Sequence, residues 1–149
     1  MRLALYQPDQ AGNVGTILRL AACLAVPLDV IEPCGFPFSD RALKRAGMDY
    51  VELAAVTRHS GWAGFEATLP GRLVLLTTAG AVRLPEARFA PADTILLGSE
   101  SRGVPDEVHA RADLRVRIPQ AEGTRSLNIA VAAGVGLAEA LRQTGLWPH

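Results

Sequence analysis

Short aliphatic runs alternate with helical stretches along the whole of this chain, and that alternation constrains the fold more than any other feature. Strands are expected at Leu3–Tyr6, Leu28–Ile31, Glu52–Val56, Leu73–Leu76, Thr94–Leu97 and Leu114–Ile118. Helices are expected over about 14–26, 40–48, 61–69, 105–111 and 126–143. A βα alternation of this kind predicts an α/β fold: one domain over residues 1–149, with a mostly parallel, six-stranded sheet covered by helices on both faces. Runs such as Leu73-Val74-Leu75-Leu76 carry no polar alternation, as suits strands buried on both faces. In the first helix Ile17, Leu20, Ala21 and Leu24 form one apolar stripe, and Arg19 lies opposite it beside Thr16 and Cys23. Pro105 opens the fourth helix, where a missing amide proton costs nothing.

Composition narrows the function classes. A chain of 149 residues with 49% hydrophobic and 20% charged residues buries a substantial core, yet it is short for an enzyme that must also grip a macromolecule, so a second subunit is expected to complete the site. No signal-peptide pattern and no bilayer-length apolar run is present, which predicts a soluble, unprocessed, cytoplasmic protein. Two cysteines, Cys23 and Cys34, are too few for a disulfide framework. Cys23, in an apolar helical stretch, is expected as a small core residue. His59, His109 and His149 share no metal-ligand spacing, so no metal is expected. Fifteen basic and fifteen acidic residues cancel, so charge alone gives no support for a nucleic-acid partner. Lys44 is the one lysine among the cations, and guanidinium groups bind phosphate bidentately and stack on bases.

The dinucleotide fingerprint G-x-G-x-x-G is absent after the first strand. Glycine-rich segments come late instead. Gly98-Ser99-Glu100-Ser101-Arg102-Gly103-Val104-Pro105 follows a buried strand, where ligands of open α/β sheets bind, and its glycines permit close backbone approach or positive φ. Ile118-Pro119-Gln120-Ala121-Glu122-Gly123-Thr124-Arg125-Ser126-Leu127-Asn128 runs into the last helix, with Ser126 as its expected N-cap. Asn128 then falls inside the helix, where its amide is a poor helix former and points to function. From Ile129 to Leu141 the helix is small or apolar on nearly every side, so it is expected to be buried all round, with Gly134 and Gly136 admitting another backbone.

Asn13-x-Gly15-x-x-x-Arg19, Gly98-x-Glu100-x-Arg102-Gly103-x-Pro105, and Ile118-Pro119 through Ser126-x-Asn128, in this order, resemble the SPOUT RNA methyltransferases. Within them the likeness is to the small TrmL-type tRNA wobble-nucleotide 2′-O-methyltransferases, and it spans the whole chain. Ile31-Glu32-Pro33, Arg45-Ala46-Gly47-x-Asp49-Tyr50 and Ala55-Val56-Thr57-Arg58-His59 look like the same subgroup. Where the family often has a second Asn three residues beyond Ser-x-Asn, and an aromatic before the Glu of the last helix, this chain has Val131 and Ala138.

The resemblance implies a C-terminal trefoil knot, a homodimer packed through the first and last helices, and S-adenosylmethionine held by Leu76, Thr77, Gly98, Glu100, Gly103, Ile118, Ser126 and Leu127. It implies Arg19, Asn13, Ser126 and Asn128 as catalytic residues. Arg19 would clamp a phosphate and stabilise the developing alkoxide, oriented by Asn13, while Ser126 and Asn128 hold the ribose or the cofactor carboxylate. tRNA, through its anticodon stem-loop, would meet Arg19, Arg41, Lys44, Arg45, Arg102 and Arg125. Two other readings stay open from sequence: the same chemistry on another tRNA or rRNA position, and a catalytically silent RNA-binding domain.

Overall fold

The computed structural model describes residues 1–39, 41 and 55–149. Seven strands form one sheet: β1 (Arg2–Tyr6), β2 (Leu28–Ile31), β3 (Val56–His59), β4 (Leu73–Leu76), β5 (Val82–Arg83), β6 (Thr94–Leu97) and β7 (Leu114–Arg117). The α-helices lying wholly among the described residues are α1 (Ala11–Cys23), α2 (Trp62–Glu66), α3 (Asp106–Arg111) and α4 (Ile129–Thr144). The strand order is β3-β2-β1-β6-β4-β7-β5, and every pairing is parallel. The expected α/β class and parallel sheet are therefore present, with seven strands in place of six.

The extra strand is β5, two residues paired with the end of β7 through Val82↔Val116 and Arg83↔Arg117. So short a segment carries no periodicity. The third strand was expected at Glu52–Val56 and instead begins at Val56; residues 51–54 lie outside the described set. As an edge strand paired only with β2, β3 exposes Thr57 and Arg58, so its polar sequence reads weakly beside the apolar residues before it. The expected helix over 40–48 also lies outside the described residues, apart from Arg41, which is helical and exposed.

Every residue of β2, β4 and β6 is buried, as their largely apolar runs require; the buried Asp29 of β2 is matched by Arg2 at 2.9 Å and His59 at 2.7 Å. On one face α1 and α4 pack against the sheet, burying Val14, Ile17, Leu18 and Ala21 with Ala133, Leu137, Ala140 and Leu141. Phe65 of α2 and Val108 of α3 cover the other face. Cys23 is exposed, contrary to expectation, because it shares the outer face of α1 with Thr16 and Arg19. The last helix is also not buried all round: Val131 is 51% and Val135 40% exposed. Gly136 makes room for a side chain rather than a backbone, since a Cβ there would lie 2.6 Å from Leu76 Cδ1; at Gly134 the nearest atom is Leu20 Cδ2, at 4.0 Å.

Because β7 lies between β4 and β5, which are consecutive in the chain, the link 77–81 crosses one face of β7. Gly80 permits the crossing: a Cβ there would stand 2.5 Å from the Val116 carbonyl carbon.

Beside β6, Asp93 is buried and accepts from Arg72 Nε at 3.0 Å, from an Arg72 terminal nitrogen at 2.8 Å and from the Ala90 amide at 2.8 Å. Asp93→Ala removes the acceptor of all three donors and leaves Arg72 its bond to the Arg88 carbonyl at 2.8 Å. It should lower unfolding stability by about 2 kcal/mol in chemical denaturation, with the midpoint falling and the slope unchanged.

Candidate active site

The carboxyl ends of parallel strands are where connecting loops offer free backbone groups. Here the ends of β4, β6 and β7 open onto a cavity of about 490 Å³. Leu75 to Thr78 come from the end of β4 and the link after it, Leu97 to Glu100 from the end of β6 and its loop, and Val116 and Ile118 from the end of β7 and just beyond; Asn13 of α1 and Ser126 to Ile129 close the remaining side. All eight residues expected to hold a cofactor line it: Leu76, Thr77, Gly98, Glu100, Gly103, Ile118, Ser126 and Leu127. Asn13 and Asn128 join them.

Local geometry explains the residue types. Ser99 and Gly103 exchange backbone hydrogen bonds of 3.0 and 2.9 Å, folding 98–103 into a tight loop. Gly103 has φ +66°, a left-handed conformation that glycine adopts without steric cost. Gly98 faces it so closely that a Cβ would lie 2.7 Å from the Gly103 carbonyl carbon. The close approach at Gly98 is thus to its own loop. Gln120 stitches the next loop together, its Nε2 donating to the Arg125 carbonyl at 2.6 Å and its Oε1 accepting from the Leu127 amide at 3.3 Å.

Asn128, not Ser126, caps α4. Its Oδ1 accepts from the Ala130 and Val131 amides at 2.8 and 3.4 Å, and the helix begins at Ile129. Ser126 stands two residues earlier in the exposed loop, lining the cavity. Both residue types cap equally well, so composition could not decide between them. Asn128 also turns its Nδ2 to Asn13 Oδ1 at 3.0 Å. Asn13 Nδ2 reaches Glu100 Oε1 and Gln10 Oε1, both at 3.2 Å. A chain of amides therefore joins the loop after β6, the start of α1 and the start of α4. Burial, followed by the neighbouring Asp9, raises the Glu100 carboxyl above its ordinary range.

The expected arginines are placed differently. Arg19, Arg102 and Arg125 are exposed, and among the described residues they do not line the cavity. Arg102 and Arg125 sit in its two bordering loops, Arg19 on the outer face of α1, and Arg41 is exposed beyond β2. Lys44 and Arg45 lie outside the described residues. Sequence reasoning missed Gln10 and Gln120, both lining the cavity. Gln120 follows Ile118-Pro119 directly, and a side-chain amide at the start of the loop leading into the last helix was the available signal.

Residues 1–138 match the model of the SpoU rRNA Methylase family. The chain belongs to that family. It is 50% identical over 148 residues to a tRNA (cytidine(34)-2′-O)-methyltransferase of Ancylobacter novellus, covering 97% of this chain and 94% of that one. A solved structure concerned with 2-OH methylation of C/U34 on tRNA superposes with a TM-score of 0.89 at 44% identity, over 95% of this chain and 94% of the other. An AdoMet-bound rRNA methyltransferase from Sinorhizobium meliloti superposes with a TM-score of 0.83 at 30% identity, over 95% of this chain and 55% of its own length.

The two roles of Asn128 are separable by substitution. Asn128→Ala removes the cap and should cost about 1 kcal/mol of stability, whereas Asn128→Asp keeps the capping oxygen and should stay within a few tenths. Both lose the donor to Asn13. Thermal denaturation should separate the two variants, while methyl transfer should fall in both.

Proposed function

We propose that this SpoU methylase transfers a methyl group from S-adenosylmethionine to the ribose 2′-hydroxyl of the anticodon wobble nucleotide of tRNA, a cytidine or modified uridine. The observation that carries this reading is the gathering of Asn13, Glu100, Ser126 and Asn128 around one cavity in a chain so similar to a tRNA (cytidine(34)-2′-O)-methyltransferase.

The residues present fit the cofactor. About 490 Å³ lies within the usual span of small-molecule sites, roughly 300–1,000 Å³. Leu76, Leu97, Val116, Ile118 and Ile129 offer apolar walls for an adenine, and Glu100 offers a carboxylate that a positively charged group of the cofactor could approach. Thr77, Gly98, Gly103 and Leu127 border the same space. Bound there, S-adenosylmethionine would supply an electrophilic methyl on a positively charged sulfur. The link 77–81 crossing β7 supports the trefoil knot as the frame of this site.

The protein's task is then to place the ribose hydroxyl in line and ease loss of its proton. Ser126, exposed at the rim, and Asn128 are suited to the ribose. Arg19 is assigned to clamp the neighbouring phosphate and stabilise the alkoxide as charge develops; a guanidinium stays protonated in nearly any site, so it does not act as the base. Asn13 holds the site in shape through Glu100 and Asn128.

Arg19 is exposed on the outer face of α1 and is not among the residues lining the cavity of its own chain, which favours its serving a partner's site. Val131 and Val135 continue an exposed apolar surface on α4, which packs beside α1. A homodimer joined through α1 and α4 would cover that surface and bring Arg19 to the partner's cavity. Arg102, Arg125 and Arg41, with Lys44 and Arg45, would meet the anticodon stem-loop. No described helix is long and apolar enough to cross a membrane, in keeping with a cytoplasmic enzyme that meets tRNA there.

Sedimentation at micromolar concentration should give twice the mass of the chain, and a fully active monomer would remove the shared-site arrangement. In a strain lacking the gene, mapping of ribose methylation should find the wobble position unmodified. The wild-type gene should restore it and Arg19→Ala should not, while cofactor affinity and folding of that variant stay near wild type. Loss of cofactor binding by Arg19→Ala would instead make Arg19 structural.

A further inference from the structure

Asp9 lies between β1 and α1, outside the cavity lining. Its backbone N–H donates to Glu100 Oε2 at 2.9 Å, and its Oδ2 accepts from the Ser101 hydroxyl. The other oxygen, Oδ1, is buried and has no hydrogen-bond partner among the described residues. Gly35, in the loop after β2, presses on it: a Cβ at Gly35 would lie 2.6 Å from Asp9 Cβ, and the Gly35 amide donates to the Pro8 carbonyl at 2.9 Å. Asp9 is thus wedged between the β2 and β6 loops, with its carboxylate held beside that of Glu100.

Two neighbouring carboxylates repel, and an apolar residue at position 9 would avoid that cost. The geometry points to a purpose: we propose that Asp9 is a positioning residue for methyl transfer, acting through Glu100 on the Asn13–Asn128 amide chain. The proposal rests on the reading of this cavity as the methyl-transfer site. The backbone N–H of residue 9 fixes Glu100 Oε2, the Ser101 hydroxyl holds the Asp9 carboxylate in the same loop contact, and Glu100 Oε1 is left to accept from Asn13 Nδ2. Asn13 Oδ1 is in turn presented to Asn128 Nδ2.

The pair also makes the chain of amides sensitive to acid. The neighbouring Glu100 and then the Ser101 hydroxyl hold Asp9 below the ordinary carboxylate range, whereas burial and then Asp9 hold Glu100 above it. As the pH falls, Glu100 is therefore protonated before Asp9. Glu100 then loses its charge, and its bond from Asn13 weakens from charge-assisted to neutral. Around the pair, Gln10 and Asn13 on the α1 side and Ser101 are neutral, and Glu32 and Arg58 form their own ion pair. Cys34 is pushed up to about 11, chiefly by burial, and stays a thiol through this range.

The test is the pH profile of kcat/KM for methyl transfer to an unmodified anticodon stem-loop by the full chain. Asp9→Asn keeps an oxygen for Ser101 and removes the charge, so the acid limb should move to lower pH by about half a unit or more. Asp9→Asn combined with Glu100→Gln should show no such limb. An acid limb unchanged in Asp9→Asn, even with a lowered Tm, would overturn the proposal and leave Asp9 merely structural. Should that variant not fold, carboxyl 13C NMR titration of the wild type decides. Glu100 titrating above the ordinary range, with Asp9 responding in step, supports the pair, and Glu100 titrating in the ordinary range overturns it. If the wild type methylates no wobble ribose, the reading of the site fails, while the NMR titration still judges the pair.

Discussion

Three segments far apart in the chain meet through side-chain amides, and the candidate site takes its shape from that meeting. Glu100, at the end of the β6 loop, accepts from Asn13 at the start of α1, and Asn13 accepts from Asn128 at the start of α4. Each amide has a donor end and an acceptor end, so fixing one orients the next. The far end of the chain is the capping oxygen of a sixteen-residue helix, so the position of α4 and the orientation of the cavity's polar groups are set together. No single backbone element could do this, since the loops of a parallel sheet otherwise share only their strand ends.

The sheet brings those ends close enough. β1, β6, β4 and β7 are neighbours although distant in sequence, and glycines let the connections pass where a side chain would collide. Gly98 abuts the backbone of Gly103, and Gly80 lies over that of Val116. Removing either clearance would push apart backbone rather than flexible side chains. The contrast is Gly136, which leaves room for the mobile end of Leu76.

The parts of this arrangement that were legible in the sequence follow from burial. β4 and β6 are covered on both faces and their aliphatic runs mark them, β2 is marked the same way despite its buried Asp29, and the glycine-bearing loops announce the cavity. β3 and β5 were not legible in the same way: one is a polar edge strand and the other is two residues long, held by β7 rather than by any local preference. Ser126 and Asn128 both read as helix caps, and only the three-dimensional position of Asn13 decides between them. Cys23 and the outer face of α4 were misjudged for a common reason. Apolar composition says that a helix is sheltered, but not whether its own chain provides the shelter. Asp9 gave no signal at all, because its importance depends on Gly35 and Glu100, which come from two other loops.

Gln120 carries a kinetic implication. Its side chain spends its hydrogen bonds inside residues 120–127, holding an exposed loop in a single shape by contacts that involve no ligand. A loop tied to itself in this way need not search for its bound form after an encounter, so capture at the cavity would be governed by the frequency of collision rather than by a folding step at the rim.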